Sequence, residues 1–308
     1  MHWIVPFAAP QEDAGREALR ALELPQLTAL LGRLAPAGRD DGEAWSFTPP
    51  HERALARALG LAGDDGRLPW AAWMAAADGV DTGDLAWGLL TPAHWHLGSD
   101  QVTLLDPEQL ALDEAASREA FEAVAPLFTS EGFVARWGAP YRWYVAHESL
   151  GALRTASLDR VVARNVAGWV TDDPAVRLVR RLQNEVQMLM YTHPLNEARE
   201  RRGLLPLNSF WLSGCGVAQP VAGTAPQRDM RLRGPALASD WASWAQAWQA
   251  LDAELMGALN AAAARGEAVQ LTLAGERSAV TLAPVAGTWQ RLRRRFGATR
   301  PAELLETL

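Results

Sequence analysis

Apolar positions along this chain recur with two periods, one suited to strands and one to helices. Residues 2–7 form a short apolar run ending at Ala8-Ala9-Pro10, and residues 14–22 and 25–34 follow with helical spacing. Pro25 suits a first helical turn, and Leu27, Leu30, Leu31 and Leu34 keep one face apolar. Pro, Gly and Asp crowd residues 35–50, which predicts a loop; helix resumes over 51–59, stops at Gly60, and returns over 69–77. Residues 85–97 and 102–105 read as strands. Asp113 caps a helix to about residue 128, with Glu114 in its first turn, and residues 141–146 alternate as a strand. Asp173 and Pro174 open a long helix to 191 carrying Val176, Val179, Leu182, Val186 and Leu189. A strand over 207–212 runs into Gly214-Cys215-Gly216. Asp240 starts a helix to 265 with Trp241, Trp244, Trp248, Leu251, Leu255 and Leu259 on one face, and a hairpin across Gly275 follows. Strands mixed with amphipathic helices predict an α/β fold.

Composition narrows the chemistry. All 29 basic residues are arginine, so Schiff-base, phosphate-loop and kinase-type lysine chemistry are excluded. One cysteine, Cys215, excludes an intrachain disulfide and a cysteine-cluster zinc site. No secretory leader pattern opens the chain and no long uninterrupted apolar run follows, so a cytoplasmic protein is expected. A net charge of −7 argues against a general affinity for nucleic acid or acidic membranes.

One stretch carries a family signature. His193-Pro194-Leu195-Asn196, Arg199, Gly203, Asn208, Trp211-Leu212, Gly214 and Gly216 resemble, in order and spacing, a signature of the archaeal-type cofactor-independent phosphoglycerate mutases. Pro49-Pro50-His51-Glu52 running to Leu59-Gly60 has the length of a second segment of that family. The Asn-Glu-x-Gln-x-Leu run from Asn184 to Leu189 is similar to the bacterial RpfE-type regulatory proteins. The resemblance implies an α/β, alkaline-phosphatase-like core with one inserted α+β domain. Its expected borders are 1–84 for the first core segment, 85–185 for the insertion and 186–308 for the second core segment. It also implies a serine nucleophile and two divalent metals, because phosphoryl transfer needs an in-line nucleophile and cations on the equatorial oxygens. This sequence departs at those places. Pro6-Phe7-Ala8-Ala9 stands where an Asp-Gly metal segment belongs, the nucleophile position falls on His51, and no histidine follows His193. No catalytic residue, metal ligand or cofactor is therefore expected.

The candidate ligand residues are His193, Asn196, Arg199, Asn208, Gly214 and Gly216. Their donors suit an anionic small molecule, phosphate or carboxylate, in a cleft between core and insertion. In this view the His193 ring projects at a helix C-terminus, where the dipole favours the imidazolium. Each residue also has a structural alternative: Asn196 as a helix cap, Gly203 as a terminator, Arg199 in a surface ion pair. His94 and His96 alternate as two metal ligands would, with Asp100 or Asp106 nearby, but a packing role is favoured. Arg291, Arg293, Arg294 and Arg295 beside Trp289 and Phe296 read as a solvated basic face. Function is thus expected to be that of a catalytically degenerate mutase-like binding or regulatory protein. The alternatives are an active phosphoglycerate mutase or phosphotransferase, and an interaction module using the Trp241, Trp244 and Trp248 stripe.

Overall fold

The chain folds around two separate apolar cores, each with its own sheet. The computed structural model describes residues 1–98, 101–170, 174–284 and 300–308, the side chains at 174 and 175 excepted. Asp100, Asp173, Trp289, Phe296 and the arginines at 291 and 293–295 lie outside the described residues. Unit 1 joins two segments, Met1–Gly60 and Ala222–Leu308, and unit 2 is the stretch between them, Leu61–Val221. Unit 2 is thus a single stretch whose ends lie outside residues 85 and 185.

In chain order, unit 1 begins with β1 (His2–Val5), α1 (Asp13–Arg20), α2 (Pro25–Leu31), β2 (Leu34–Asp41) and α3 (Pro50–Leu59). Unit 2 carries α4 (Trp70–Ala77), β3 (Ala86–Ala93), β4 (Trp95–Leu97), β5 (Val102–Leu104), α5 (Glu114–Thr129), β6 (Val134–Ala139) and β7 (Arg142–Ala146). It continues with α6 (Leu158–Val161), α7 (Pro174–Tyr191), α8 (Pro194–Arg201) and β8 (Ser209–Val217). Unit 1 then resumes with β9 (Gln227–Arg228), α9 (Arg233–Leu237), α10 (Trp241–Leu251), a π-helical turn (Asp252–Met256), α11 (Gly257–Ala264), β10 (Gln270–Ala274), β11 (Ser278–Pro284) and α12 (Pro301–Leu305).

The sheet of unit 1 runs β2-β11-β10-β1-β9, with β1 parallel to both its neighbours and β11 antiparallel to β10 and β2. Parallel strands and covering helices make the chain α/β, as the pattern predicts. Alternation sends Val5, Leu271, Leu273, Val280 and Leu282 to one face, where they meet Leu19, Leu27, Leu30, Trp244, Trp248 and Leu251. The opposite face holds Ile4 and Thr272, and α3 packs on β1, β10 and β11 there. Trp244 and Trp248 are 0% exposed and Trp241 is half-buried, so the tryptophan stripe packs into the core. A long-range cap ties this core together. α2 starts with Pro25 and has no cap of its own. The buried Asp252 carboxylate from the π-helical turn accepts from Gln26 N–H at 3.0 Å and Leu27 N–H at 2.7 Å.

β2 corrects the loop expected over 35–50. Pro36, Gly38 and the charges at 39–41 have low strand propensity, but the segment lies on the sheet edge, where a missing N–H costs no ladder bond. Pairing with β11 overrides its local preference.

Unit 2 is built on an antiparallel sheet of order β6-β7-β3-β8. Strand β3 is buried along its whole length because helices cover both faces. Ala71, Ala72 and Ala75 of α4 meet Trp87, Leu89, Tyr144 and Ala146 on one side. Phe128 of α5 and Leu182, Val186 and Met190 of α7 meet Leu90, Trp143, Phe210 and Leu212 on the other. The single strand expected over 85–97 is divided at His94, and β4 pairs with β5 in a separate two-stranded sheet. The strand expected over 207–212 pairs with β3 here and not with the sheet containing Ile4, so the expectation that both share one core is corrected.

Removing the remote cap tests the unit 1 core. Asp252→Ala leaves two N–H groups without an acceptor and should lower the unfolding free energy by on the order of 2 kcal/mol. A urea midpoint equal to that of the parent would show that α2 starts without it.

Candidate functional site

All six candidate ligand residues lie in unit 2, and their polar groups are turned onto the protein's own backbone. His193 stands between α7 and α8 as the N-cap of α8, where its Nδ1 accepts from Leu195 N–H at 3.2 Å. The ring thus serves the start of α8, while the His193 N–H closes the end of α7 on Met190 O at 3.3 Å. Asn196 sits inside α8 rather than at its cap. Its amide donates to Met190 O at 2.8 Å and Leu207 O at 2.7 Å, and its Oδ1 accepts from Leu207 N–H at 2.9 Å. The side chain thereby splices the end of α7 to the strand leading into β8.

Arg199 is 3% exposed, and its guanidinium donates to Leu205 O at 2.9 Å and to Leu110 O. Burial pulls its pKa below the usual arginine value. These donors face backbone carbonyls and not the carboxylates of Glu197 or Glu200. Asn208 accepts from Trp95 N–H at 2.7 Å and donates to Trp95 O at 3.0 Å, imitating a strand residue against β4.

The two glycines solve a packing problem. Gly214 and Cys215 form a bulge opposite Gly88, between the pairs Trp87–Gly216 and Leu89–Ser213, and Gly214 takes φ +64°. A Cβ at Gly214 would lie 2.8 Å from Trp70 Cβ, and one at Gly216 would lie 2.9 Å from Pro69 Cβ. Both therefore admit the start of α4 against β8 instead of forming an anion-binding turn. Cys215 between them is fully buried, and desolvation pushes its thiol up to about 12, so it packs without reacting. Gly203, at φ +71°, closes the turn after α8 as expected.

The paired histidines part company. His94 Nδ1 donates to Pro206 O at 2.8 Å, while His96 lies exposed in β4. Asp106 caps the short turn Pro107–Leu110. Among the described residues, no three His, Cys, Asp or Glu side chains gather as the ligands of a metal would.

Open α/β sheets bind ligands outside the carboxyl ends of their parallel strands, which in unit 1 means beyond β1 and β10. There β1 runs into Phe7, at φ +57°, and fully buried Ala8, whose N–H donates to Ala274 O at 2.8 Å. The indoles of Trp244 and Trp248 donate to Phe7 O at 2.9 Å and Ala8 O at 3.2 Å. The buried His51 ring lies 5.6 Å from that of Phe7. Leu308 fills the end of β10, accepting from Arg277 and Ser278 N–H, and a Cβ on Gly275 would lie 2.7 Å from it.

The acids along this edge are engaged by arginines. Asp40 meets Arg53 at 2.7 Å and also Arg57. Asp41 accepts from the Ser278 hydroxyl and pairs with Arg39, and these contacts hold its carboxyl below the usual range. At Asp229 burial works against ionisation, but the Arg231 fork at 2.7 Å outweighs it. Two divalent cations need several free carboxylates and imidazoles, so these residues do not fit the metal pair that the family resemblance implies.

One polar cluster escaped the sequence reading, because its members lie far apart in the chain. Arg142 grips Asp78, at the end of α4, with two bonds of 2.9 Å, and the Tyr144 hydroxyl donates to the same carboxylate at 2.6 Å. These donors hold the Asp78 carboxyl below its ordinary value, Arg142 contributing most.

No family model matches the chain, and no curated protein matches it. Among solved structures it is similar to a cofactor-independent phosphoglycerate mutase from Thermoplasma acidophilum, at 13% identity and TM-score 0.36, over 100% of this chain and 98% of that one. It is also similar to the PH0037 protein from Pyrococcus horikoshii, at 12% identity and TM-score 0.42, over 93% of this chain and 87% of that one. At these scores the likeness does not decide the function.

Two outcomes follow from the partners found. Arg199→Ala strips bonds from two carbonyls and removes a packed stem, and should cost about 3 kcal/mol in a urea melt; an unchanged midpoint would return Arg199 to the ligand candidates. Because the Asp78 carboxyl has a lowered folded pKa, its contribution is present above the unfolded carboxylate value near ~3.9 and is lost as pH falls through the folded value. Asp78→Asn should therefore flatten the acid limb of the stability profile, as read from melting temperatures across acidic pH.

Proposed function

We propose that this chain is a phosphoglycerate-mutase-like protein that acts by binding, as a regulatory protein does, and performs no metal-dependent phosphoryl transfer. The supporting observation is the carboxyl edge of the unit 1 sheet. Phosphoryl transfer needs a nucleophile facing an open site and cations over the transferred group. Here the end of β1 is held by two indole bonds, the His51 ring packs against Phe7, and the carboxylates of Asp40, Asp41 and Asp229 lie in arginine ion pairs. Loading metal would first require breaking those pairs, leaving the half-buried Arg53 and Arg231 guanidinium groups without their counter-charge.

Among the described residues, the arginine-paired acids of this edge do not favour the active-mutase alternative. The Arg199 and Asn208 donors that suggested an anion are bonded within unit 2, and His193 Nδ1 accepts from Leu195 N–H. They support the fold of that unit, and the binding role does not depend on them.

Metal analysis and an activity assay test the proposal together. The protein, purified and then incubated with manganese and zinc, should retain no stoichiometric metal by mass spectrometry and should not interconvert 2- and 3-phosphoglycerate. Stoichiometric metal together with turnover that a chelator abolishes would establish the enzyme instead.

A further inference from the structure

Helix α7 turns one face into unit 2 and the opposite face to water. It buries Leu182, Val186 and Met190 in the core. The helical period turns Arg177, Arg180, Asn184, Met188 and Tyr191 the other way, and all five are exposed. Tyr191 is 87% exposed and Met188 77%, the highest values for large apolar side chains among the described residues. Cations stand at the other end of the same stripe. Arg181 pairs with Glu131 and Glu185, whereas among the described residues no carboxylate pairs with Arg177 or Arg180. A stripe about 21 Å long thus carries unneutralised guanidinium groups at one end and solvated apolar side chains at the other.

The spacing of the stripe is self-complementary. Asn184 is its midpoint, four residues from both Arg180 and Met188 and seven from both Arg177 and Tyr191. Two antiparallel copies of α7 related by a two-fold axis through Asn184 set residues equidistant from the axis opposite one another. Arg177 then faces the second copy's Tyr191, Arg180 faces its Met188, and the two Asn184 amides meet. Guanidinium is attracted to a phenol ring, an arginine stem covers a thioether, and two amides satisfy each other as donor and acceptor. The two Arg180 charges stay about 12 Å apart along the axis, beyond a Debye length at physiological salt. We propose that this face of α7 is the contact through which two copies of the chain associate as a symmetric antiparallel dimer. One helix face offers less than the roughly 800 Å² per partner of a standard interface, so the dimer is weak, with a Kd on the order of 100 µM. The contact lies wholly within unit 2 and stands whether or not unit 1 is catalytic.

Sedimentation velocity on the full chain, from about 5 to about 500 µM, tests the contact. The parent should pass from monomer to dimer across this range. Met188→Arg sets arginine against arginine and should weaken the dimer at least about tenfold, roughly 1.4 kcal/mol. Combining Arg180→Met with Met188→Arg swaps the members of each facing pair and should bring the affinity back to within about threefold of the parent. Should either protein lack the parent circular dichroism spectrum, Tyr191→Arg, alone and with Arg177→Tyr, makes the same test one turn further out. Association lost in the single variant and recovered in the exchange supports the antiparallel contact. A parent chain that stays monomeric overturns it, and sedimentation of that monomer with phosphatidylserine vesicles would assign the face to a membrane instead. Association that a folded single variant keeps, or that a folded exchange fails to recover, also overturns it.

Discussion

A guanidinium placed in a protein interior must be solvated by something, and in unit 2 that requirement organises the chain around Arg199. Its donors meet the carbonyls of Leu205 and Leu110, one just beyond α8 and the other in the turn before α5. Three residues earlier, Asn196 uses both ends of its amide on Met190 and Leu207. Together the two side chains fix where α7 ends, how the chain reverses through α8, and where β8 begins. An unbonded buried carbonyl costs about 1–3 kcal/mol, so these bonds decide the path of the loop, whose backbone would otherwise lack partners. The bulge at Gly214 then lets α4 approach the strand that this path delivers.

Unit 1 solves a related problem with different groups. The end of β1 turns sharply at Phe7, leaving carbonyls inside the core, and the indoles of α10 reach them while their rings fill the space beneath the sheet. Asp252 serves α2 from the same helical column. The consequence is functional. A strand end anchored by core tryptophans and flanked by arginine-paired acids is suited to holding a fold together, while a metal site needs acids left free to coordinate.

Much of this was legible in the sequence, and the exceptions have physical causes. The tryptophan helix and the hairpin at Gly275 follow from periodicity, since each buries one face and local preference agrees with packing. Strand β2 does not, because Pro36, Gly38 and Asp40 resist extended pairing locally and only the waiting edge of β11 makes a strand of them. The break at His94 was hidden because apolar residues continue across it into a different sheet. The unit borders lie further out because α4 packs on β3 and β8 pairs with it, the latter from more than a hundred residues away, which no local pattern encodes.

The motif from His193 to Gly216 shows why residue identity and residue role separate. A histidine, an asparagine and an arginine spaced over one turn and a loop offer groups that would bind an anion, yet the asparagine and arginine donors satisfy buried carbonyls and the histidine caps a helix. Sequence records the donors; only the fold shows what they face. Here they face backbone at ordinary hydrogen-bond distances, and the glycines beside them face a helix. A signature of this kind is evidence for a way of turning the chain, and function has to be sought where side chains leave space or charge unspent.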